Sequence, residues 1–118
     1  MEKFRFLNWN VYKDARELFS ATLVLTRKLP KEFRFELGSQ IIRSAFSVVL
    51  NIAEGSGKTS DKELNRFIEI ALGSVSETLA AVDILHFNQL ITEEDFGAMQ
   101  DKLFSISNQL GGFKKHLK

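Results

Sequence analysis

The chain has 118 residues, with Lys+Arg 16 against Asp+Glu 15, a formal net charge of +1, no cysteine and a hydrophobic fraction of 44%. That length makes one domain, 1–118, able to bury roughly two-thirds of its unfolded surface. The charge balance excludes a uniformly cationic nucleic-acid coat, the absence of cysteine excludes disulfides and thiolate metal sites, and Pro 1 with Gly 7 favours a few long helices over many strands.

The first helix is predicted over about 8–28. Tyr12, Ala15, Phe19, Leu23 and Thr26 recur at helical spacing, as do Val11, Leu18 and Leu25. Asn8 or Asn10 is the expected cap, and Pro30 ends the segment.

The second helix is predicted over about 33–54. Leu37, Ile41, Ala45, Val48, Val49 and Ile52 make a broad apolar face, and Glu36, Gln40, Arg43, Ser47, Asn51 and Glu54 a polar stripe. Cover this wide implies burial on more than one side, hence a subunit interface as well as a core. The segment closes on Asn51-Ile52-Ala53-Glu54-Gly55-Ser56-Gly57. Asn51 and Glu54 share a helix face, and Gly55 is expected in the left-handed conformation that commonly ends a helix.

Ser60-Asp61-Lys62-Glu63 reads as a capping box. It opens a third helix over about 61–87, with Leu64, Phe67, Ile68, Ala71, Val75, Leu79, Val82 and Leu85 in period. The small pair Gly73-Ser74 is expected to admit a close neighbour, and Asn88 to take the left-handed closing position. The fourth helix follows Thr92, over about 93–117, with Glu93, Glu94 and Asp95 favourably placed in its first turn. Phe96, Met99, Leu103, Ile106, Leu110, Phe113 and Leu117 form the seam of a bundle, and Gly111-Gly112 predicts fraying near the end. Short connections make neighbours antiparallel, so the expected fold is an all-α up-down-up-down four-helix bundle with left-handed packing, oligomeric. No charged-then-apolar leader and no apolar run near 18 residues is present, which predicts a cytoplasmic chain without a membrane span.

Three motifs in order carry a resemblance: Gln40-x-x-Arg43-x-Ala45-x-Ser47, then Asn51-Ile52-Ala53-Glu54-Gly55-x-Gly57-Lys58, then Ala71-Leu72-Gly73-Ser74-x-x-Glu77. Together they resemble the bacterial four-helix bundle family whose founding members are encoded by intervening sequences inside 23S ribosomal RNA genes. The likeness spans nearly the whole chain. It implies an up-down bundle assembled as a homopentamer, with nucleic-acid binding the usual suggestion for the family. A more basic, distantly similar bundle serves as an accessory to the reverse transcriptase of diversity-generating retroelements. The chain departs from the pattern at Ile42-Arg43, where the family often has two adjacent arginines, so Arg43 alone remains as a phosphate contact there. It departs again at Val49, where a proline is common, and in its near-neutral charge.

Asn51, Glu54 and Glu77 are the most site-like group, since paired carboxylates can share a proton or hold a metal. The structural alternative, which we favour, has Asn51 and Glu54 satisfying the turn's backbone and Glu77 bonding across the helix pair. Asp83-x-x-His86 shares one helix face but lacks the second histidine motif of a di-iron bundle, and reads as a solvent-facing pair. Gly55-x-Gly57-Lys58 lacks the spacing and preceding strand of a phosphate loop, and no histidine is placed for a triad. No catalytic residue, metal, cofactor or small-molecule substrate is expected, so the chain reads as a non-enzyme.

The basic residues point further. In an up-down bundle one end gathers Lys3, Arg5, Lys58, Lys62, Arg66, Lys114, Lys115 and Lys118, diluted by Glu2, Asp61 and Glu63. The other holds Arg27, Lys28, Lys31 and Arg34 against Glu32, Glu36, Glu93, Glu94 and Asp95. Lys58, Lys62, Arg66, Lys114 and Lys115, with Arg43, are therefore the candidate contacts to RNA or DNA. The plain alternatives are that Lys114 and Lys115 answer the helix dipole and the rest solvate a surface. Trp9, Phe4 and Phe6 could stack on bases, but aromatics at a helix start more often staple it to the bundle. The functional expectation is a non-enzymatic oligomer binding nucleic acid through its basic end. A scaffold for a protein partner and, more remotely, a small metal-dependent enzyme are the alternatives.

Overall fold

The computed structural model describes residues 3–117. A short 3-10 turn, Arg5–Asn8, leads into α1 (Asn10–Arg27), α2 (Lys31–Ser56), α3 (Asp61–Phe87) and α4 (Glu93–Lys115). No strand occurs among the described residues. Side-chain contacts fix the helix directions. Phe19 of α1 meets Phe46 of α2, and Thr26 faces Gly38. Ser44 and Ser47 of α2 bond Thr78 and Ser74 of α3. Glu69 and His86 of α3 meet Lys114 and Phe96 of α4. Trp9 and Lys28, which flank α1, and Asp14 within it meet Phe113, Asp95 and Gln109 of α4. In each pair the partner's number falls as the helix's own number rises. All neighbours are therefore antiparallel, giving an up-down-up-down bundle 46 Å long.

The periodic segments become these helices with small shifts at their ends. Ser60 Oγ accepts from the Glu63 amide at 3.2 Å, and Thr92 Oγ1 from the Asp95 amide at 3.0 Å. Each satisfies a first-turn donor that the helix itself cannot. At α1 the expectation fails: Trp9, not Asn8 or Asn10, holds the cap position and contributes no side-chain bond. Asn8 ends the 3-10 turn instead. α2 begins directly after Pro30 and runs on to Ser56. Among the described residues the left-handed position after α3 belongs to Gln89 (φ 61°), not Asn88. α4 continues through Gly111-Gly112 to Lys115 without a break.

The core is built from Leu18, Leu29, Ile41, Ile52, Leu103, Ile106 and Leu110, all essentially inaccessible. Between α2 and α3 it carries a polar ladder. Ser44 Oγ lies 2.7 Å from Thr78 Oγ1, Ser47 Oγ lies 2.8 Å from Ser74 Oγ, and Thr78 Oγ1 also donates to the Ser74 carbonyl. Small hydroxyl residues let the helices approach closely, and reciprocal bonds remove the penalty of burying them. No buried side-chain polar atom among the described residues lacks a partner. Outside the core, α2 leaves Phe33, Phe35, Leu37, Phe46 and Leu50 exposed, with Phe35 at 82%. α3 adds Ile70, Ile84 and Phe87. Of the apolar face read from the α2 sequence this core buries all but Leu37, and the surplus apolar surface lies instead at Phe33, Phe35, Phe46 and Leu50.

Candidate nucleic-acid interface

The basic end is assembled by contacts across the chain. Arg5 Nε donates to the Ser56 carbonyl at 2.9 Å, tying the 3-10 turn to the last turn of α2. Its guanidinium sits 5.2 Å from the Trp9 ring, and Trp9 packs on Phe113 at 4.8 Å. Trp9 and Phe6, which packs on Tyr12 at 4.8 Å, therefore staple the start of α1 to the bundle, while Phe4 remains exposed. On α3, Phe67 receives two cations, Lys58 at 5.1 Å and Arg66 at 4.5 Å from its ring centre. Such placements hold a cation against an aromatic face without neutralising it.

The candidate contacts divide on this geometry. Lys114 pairs with Glu69 at 3.0 Å, and Arg66 with Glu63 at 3.4 Å. Lys58, Lys62 and Lys115, with Lys3 and Arg5, have no carboxylate at ion-pair distance among the described residues. Glu2 and Lys118, also assigned to this end, lie outside the described residues. Arg43 is exposed in the middle of α2 and does not join the group. Thirteen residues of helix put it about 20 Å from Ser56. Arg5 was not legible as an anchor in the sequence, because its acceptor lies 51 positions away.

At the opposite end two side chains meet acids, and Arg34 donates to the Leu29 carbonyl at 3.1 and 3.3 Å. Lys28 Nζ donates to Asp95 Oδ1 at 2.9 Å, and His86 Nε2 lies 3.1 Å from Glu93 Oε2. The Lys28 ammonium holds the Asp95 carboxyl below its ordinary value, burial opposing and Thr92 assisting. Asp83 and His86 do not act as a solvent-facing pair: His86 stacks on Phe96 at 4.3 Å and bridges to α4, while Asp83 stays exposed.

The polar motif at the end of α2 differs from its sequence reading in three ways. Asn51 turns back along its own helix, donating to the Ser47 carbonyl at 2.8 Å and to Ser47 Oγ at 3.0 Å, and leaves the turn's backbone alone. It thereby extends the ladder toward the basic end. The side chains of Glu54 and Glu77 are exposed and make no hydrogen bond or ion pair among the described residues, Glu54 accepting only through its carbonyl from the Gly57 amide; Ser74 and Thr78 make the cross-helix bonds expected of Glu77. Gly55 does not terminate the helix with a positive φ. It lies buried inside α2, where a Cβ would meet Phe67 Cβ at 2.9 Å and Leu64 Cδ1 at 3.1 Å. Its role is close approach of α2 to α3, and Gly57 caps the helix instead. Gly73, expected to admit a neighbour, faces open space: a Cβ there would meet no atom within 4 Å.

The sequence profile of the 23S rRNA-intervening sequence protein family matches residues 8–112. The chain belongs to that family. Within the 23S rRNA-intervening sequence proteins, its match takes in all four helices. A crystal structure of a protein of unknown function from the S23 ribosomal protein family of Bacteroides thetaiotaomicron is similar at a TM-score of 0.83 and 24% identity. The similarity covers 89% of this chain and 98% of that one, and it speaks for the fold. No curated protein matches. No group of three metal-ligating side chains is found among the described residues, and no helix there is long and apolar enough to cross a membrane.

Proposed function

We propose that this family member is a non-enzymatic homo-oligomer that binds RNA or DNA through the basic end of its bundle. The observation that carries the reading is the polarity of the molecule. One end presents Lys3, Arg5, Lys58, Lys62 and Lys115 without carboxylate partners among the described residues, while the other sets Glu32, Glu36, Glu93, Glu94 and Asp95 against Arg27, Lys28, Lys31 and Arg34 and pairs Lys28 with Asp95. A concentrated cationic end on a chain of net charge +1 attracts a polyanion that the whole molecule would not. Assembly is supported by the α2–α3 face. Exposed aromatic and aliphatic side chains share these helices with Arg43, Glu54 and Glu77, whose charges find no partner among the described residues. A second copy offers both the apolar cover and the opposite charges, and five subunits is the count the family resemblance implies. Repetition of a weak site around a ring multiplies its avidity.

Two measurements test this. Light scattering at tens of micromolar is expected to find an oligomer, and a monomer defeats the assembly. Fluorescence anisotropy with labelled mixed-sequence RNA and DNA is expected to show binding that is indifferent to sequence and falls steeply with salt. An oligomer that ignores both nucleic acids at low salt leaves a protein scaffold as the better description.

A further inference from the structure

Between the N-terminal turn and the α2–α3 loop lies a cleft of about 530 Å³, bordered by Lys3, Arg5, Lys58, Thr59, Ser60 and Asp61. We infer that this cleft is the place where one phosphodiester group of a nucleic-acid strand is held, with Arg5 and Lys58 as its principal contacts. The inference rests on the nucleic-acid reading above and assigns that reading a location.

The two cations are held by features that leave their charge intact. Arg5 commits only Nε to the Ser56 carbonyl and rests on Trp9, so its terminal amino groups stay available for a forked contact to two phosphate oxygens. Lys58 is half-buried with its ammonium over Phe67. A cation already fixed by packing loses less conformational freedom on binding than the exposed Lys62 or Lys115. The remaining candidates at this end are weaker on other grounds: Arg66 and Lys114 face Glu63 and Glu69.

Among the described residues, three cations against the one carboxylate of Asp61 leave the cleft with excess positive charge in a concave setting, where the field is focused. The cleft is also open-ended. It shares Arg5, Asp61 and Leu64 with a neighbouring depression of about 640 Å³ that reaches Trp9 and His116. A group with chain on both sides, such as a phosphodiester, can pass through this arrangement. Among the described residues the cleft presents no side-chain amide to read a base edge, and the two amides of the neighbouring depression, Asn10 and Gln109, lie outside it, Gln109 engaged by Asp14 and Ser105; contact within the cleft is to the backbone.

The test uses the full chain and a fluorescein-labelled oligothymidylate of about 20 nucleotides, followed by anisotropy from low to moderate salt. Arg5→Gln with Lys58→Gln is expected to weaken binding at least tenfold. The log affinity against log salt slope should flatten by about 1.4, the value for removing two phosphate contacts to a single strand. Lys62→Gln with Lys115→Gln, at the same end but outside the cleft, is expected to cost less than threefold. Asp61→Asn is expected to tighten binding. Should removal of the Arg5 anchor lower the melting temperature, Lys58→Gln alone decides, with a slope change of about 0.7. Equal weakening by the two pairs, with the parent binding, overturns the cleft and leaves the basic end standing. A parent chain that does not bind overturns both. Displacement of the oligonucleotide by millimolar inorganic phosphate at constant ionic strength overturns the strand assignment in favour of a free-phosphate site.

Discussion

The two ends of this bundle differ in how many cations they carry and in how those cations are held. At the far end, Lys28 forms an ion pair with Asp95, His86 lies against Glu93, and Arg34 donates to the Leu29 carbonyl, so α1 and α3 meet the start of α4 at acidic side chains. At the near end, fastening is done by a backbone carbonyl and by ring faces: Arg5 on Ser56 and Trp9, Lys58 on Phe67. A polarised surface can therefore arise in a chain whose overall charge is nearly balanced, through where the acids fall along it and which cations they reach.

Substitutions at both ends probe that contrast. The largest effect is expected at Gly55, which sets the α2–α3 approach at the near end. Gly55→Val forces a side chain into Phe67 and Leu64, and overpacking of this kind costs about 1–3 kcal/mol or more. Gly97→Ala, where a Cβ meets nothing within 4 Å, is expected to raise the melting temperature slightly through helix propensity. Thermal melts giving the reverse order mean that α2 does not pack as described.

Ser44→Ala comes next. It removes one cross-helix partner of Thr78 Oγ1, which keeps its bond to the Ser74 carbonyl, so a loss of about 1 kcal/mol in denaturant melts is expected. Glu54→Ala, by contrast, is expected to change monomer stability by less than about 0.5 kcal/mol, since Glu54 is exposed. A larger fall in oligomer stability than in monomer stability would place Glu54 between copies.

A further small effect concerns the far end and has a defined pH dependence. The folded pKa of Asp95 lies below its ordinary 3.8 because Lys28 stabilises the carboxylate. That stabilisation is present above the unfolded pKa and is lost as pH falls through the folded one. Lys28→Gln is therefore expected to cost less than about 1 kcal/mol at neutral pH, and the gap from the parent should close as pH drops below 3.8. A gap that is constant with pH shows that the ion pair is not what fastens this end.

Much of the fold is written in local pattern. The spacing of Leu103, Ile106 and Leu110 and the caps at Ser60 and Thr92 each act within one or two turns and are found where their patterns put them, though the Glu63 carboxylate turns to Arg66 rather than closing a capping box. Features set by distance between helices are not legible in the same way. Gly55 followed by a loop reads like a terminator, because sequence does not reveal that Phe67 will press against it. Likewise Glu77 is the conspicuous polar residue of its motif, but the short hydroxyls of Ser74 and Thr78 are what fit the narrow gap to α2. His86 finds its partners on α4 rather than at Asp83 for the same reason. The candidate interface is legible only as a set of cations at one end; which of them remain unneutralised depends on Glu63, Glu69 and Ser56, whose contacts arise from the packed bundle.

The most direct test of the polarised surface is the salt dependence of nucleic-acid binding in two charge-reversed chains. One carries Lys58→Glu, Lys62→Glu and Lys115→Glu; the other carries Arg27→Glu, Lys28→Glu and Lys31→Glu. Both are expected to keep the parent's fold, because all six side chains sit at the surface of the bundle, Lys58 the most covered. Anisotropy titrations at several salt concentrations are expected to show binding abolished in the first chain and reduced only modestly in the second, with the second keeping the parent's slope. Equal weakening in the two chains would contradict the account.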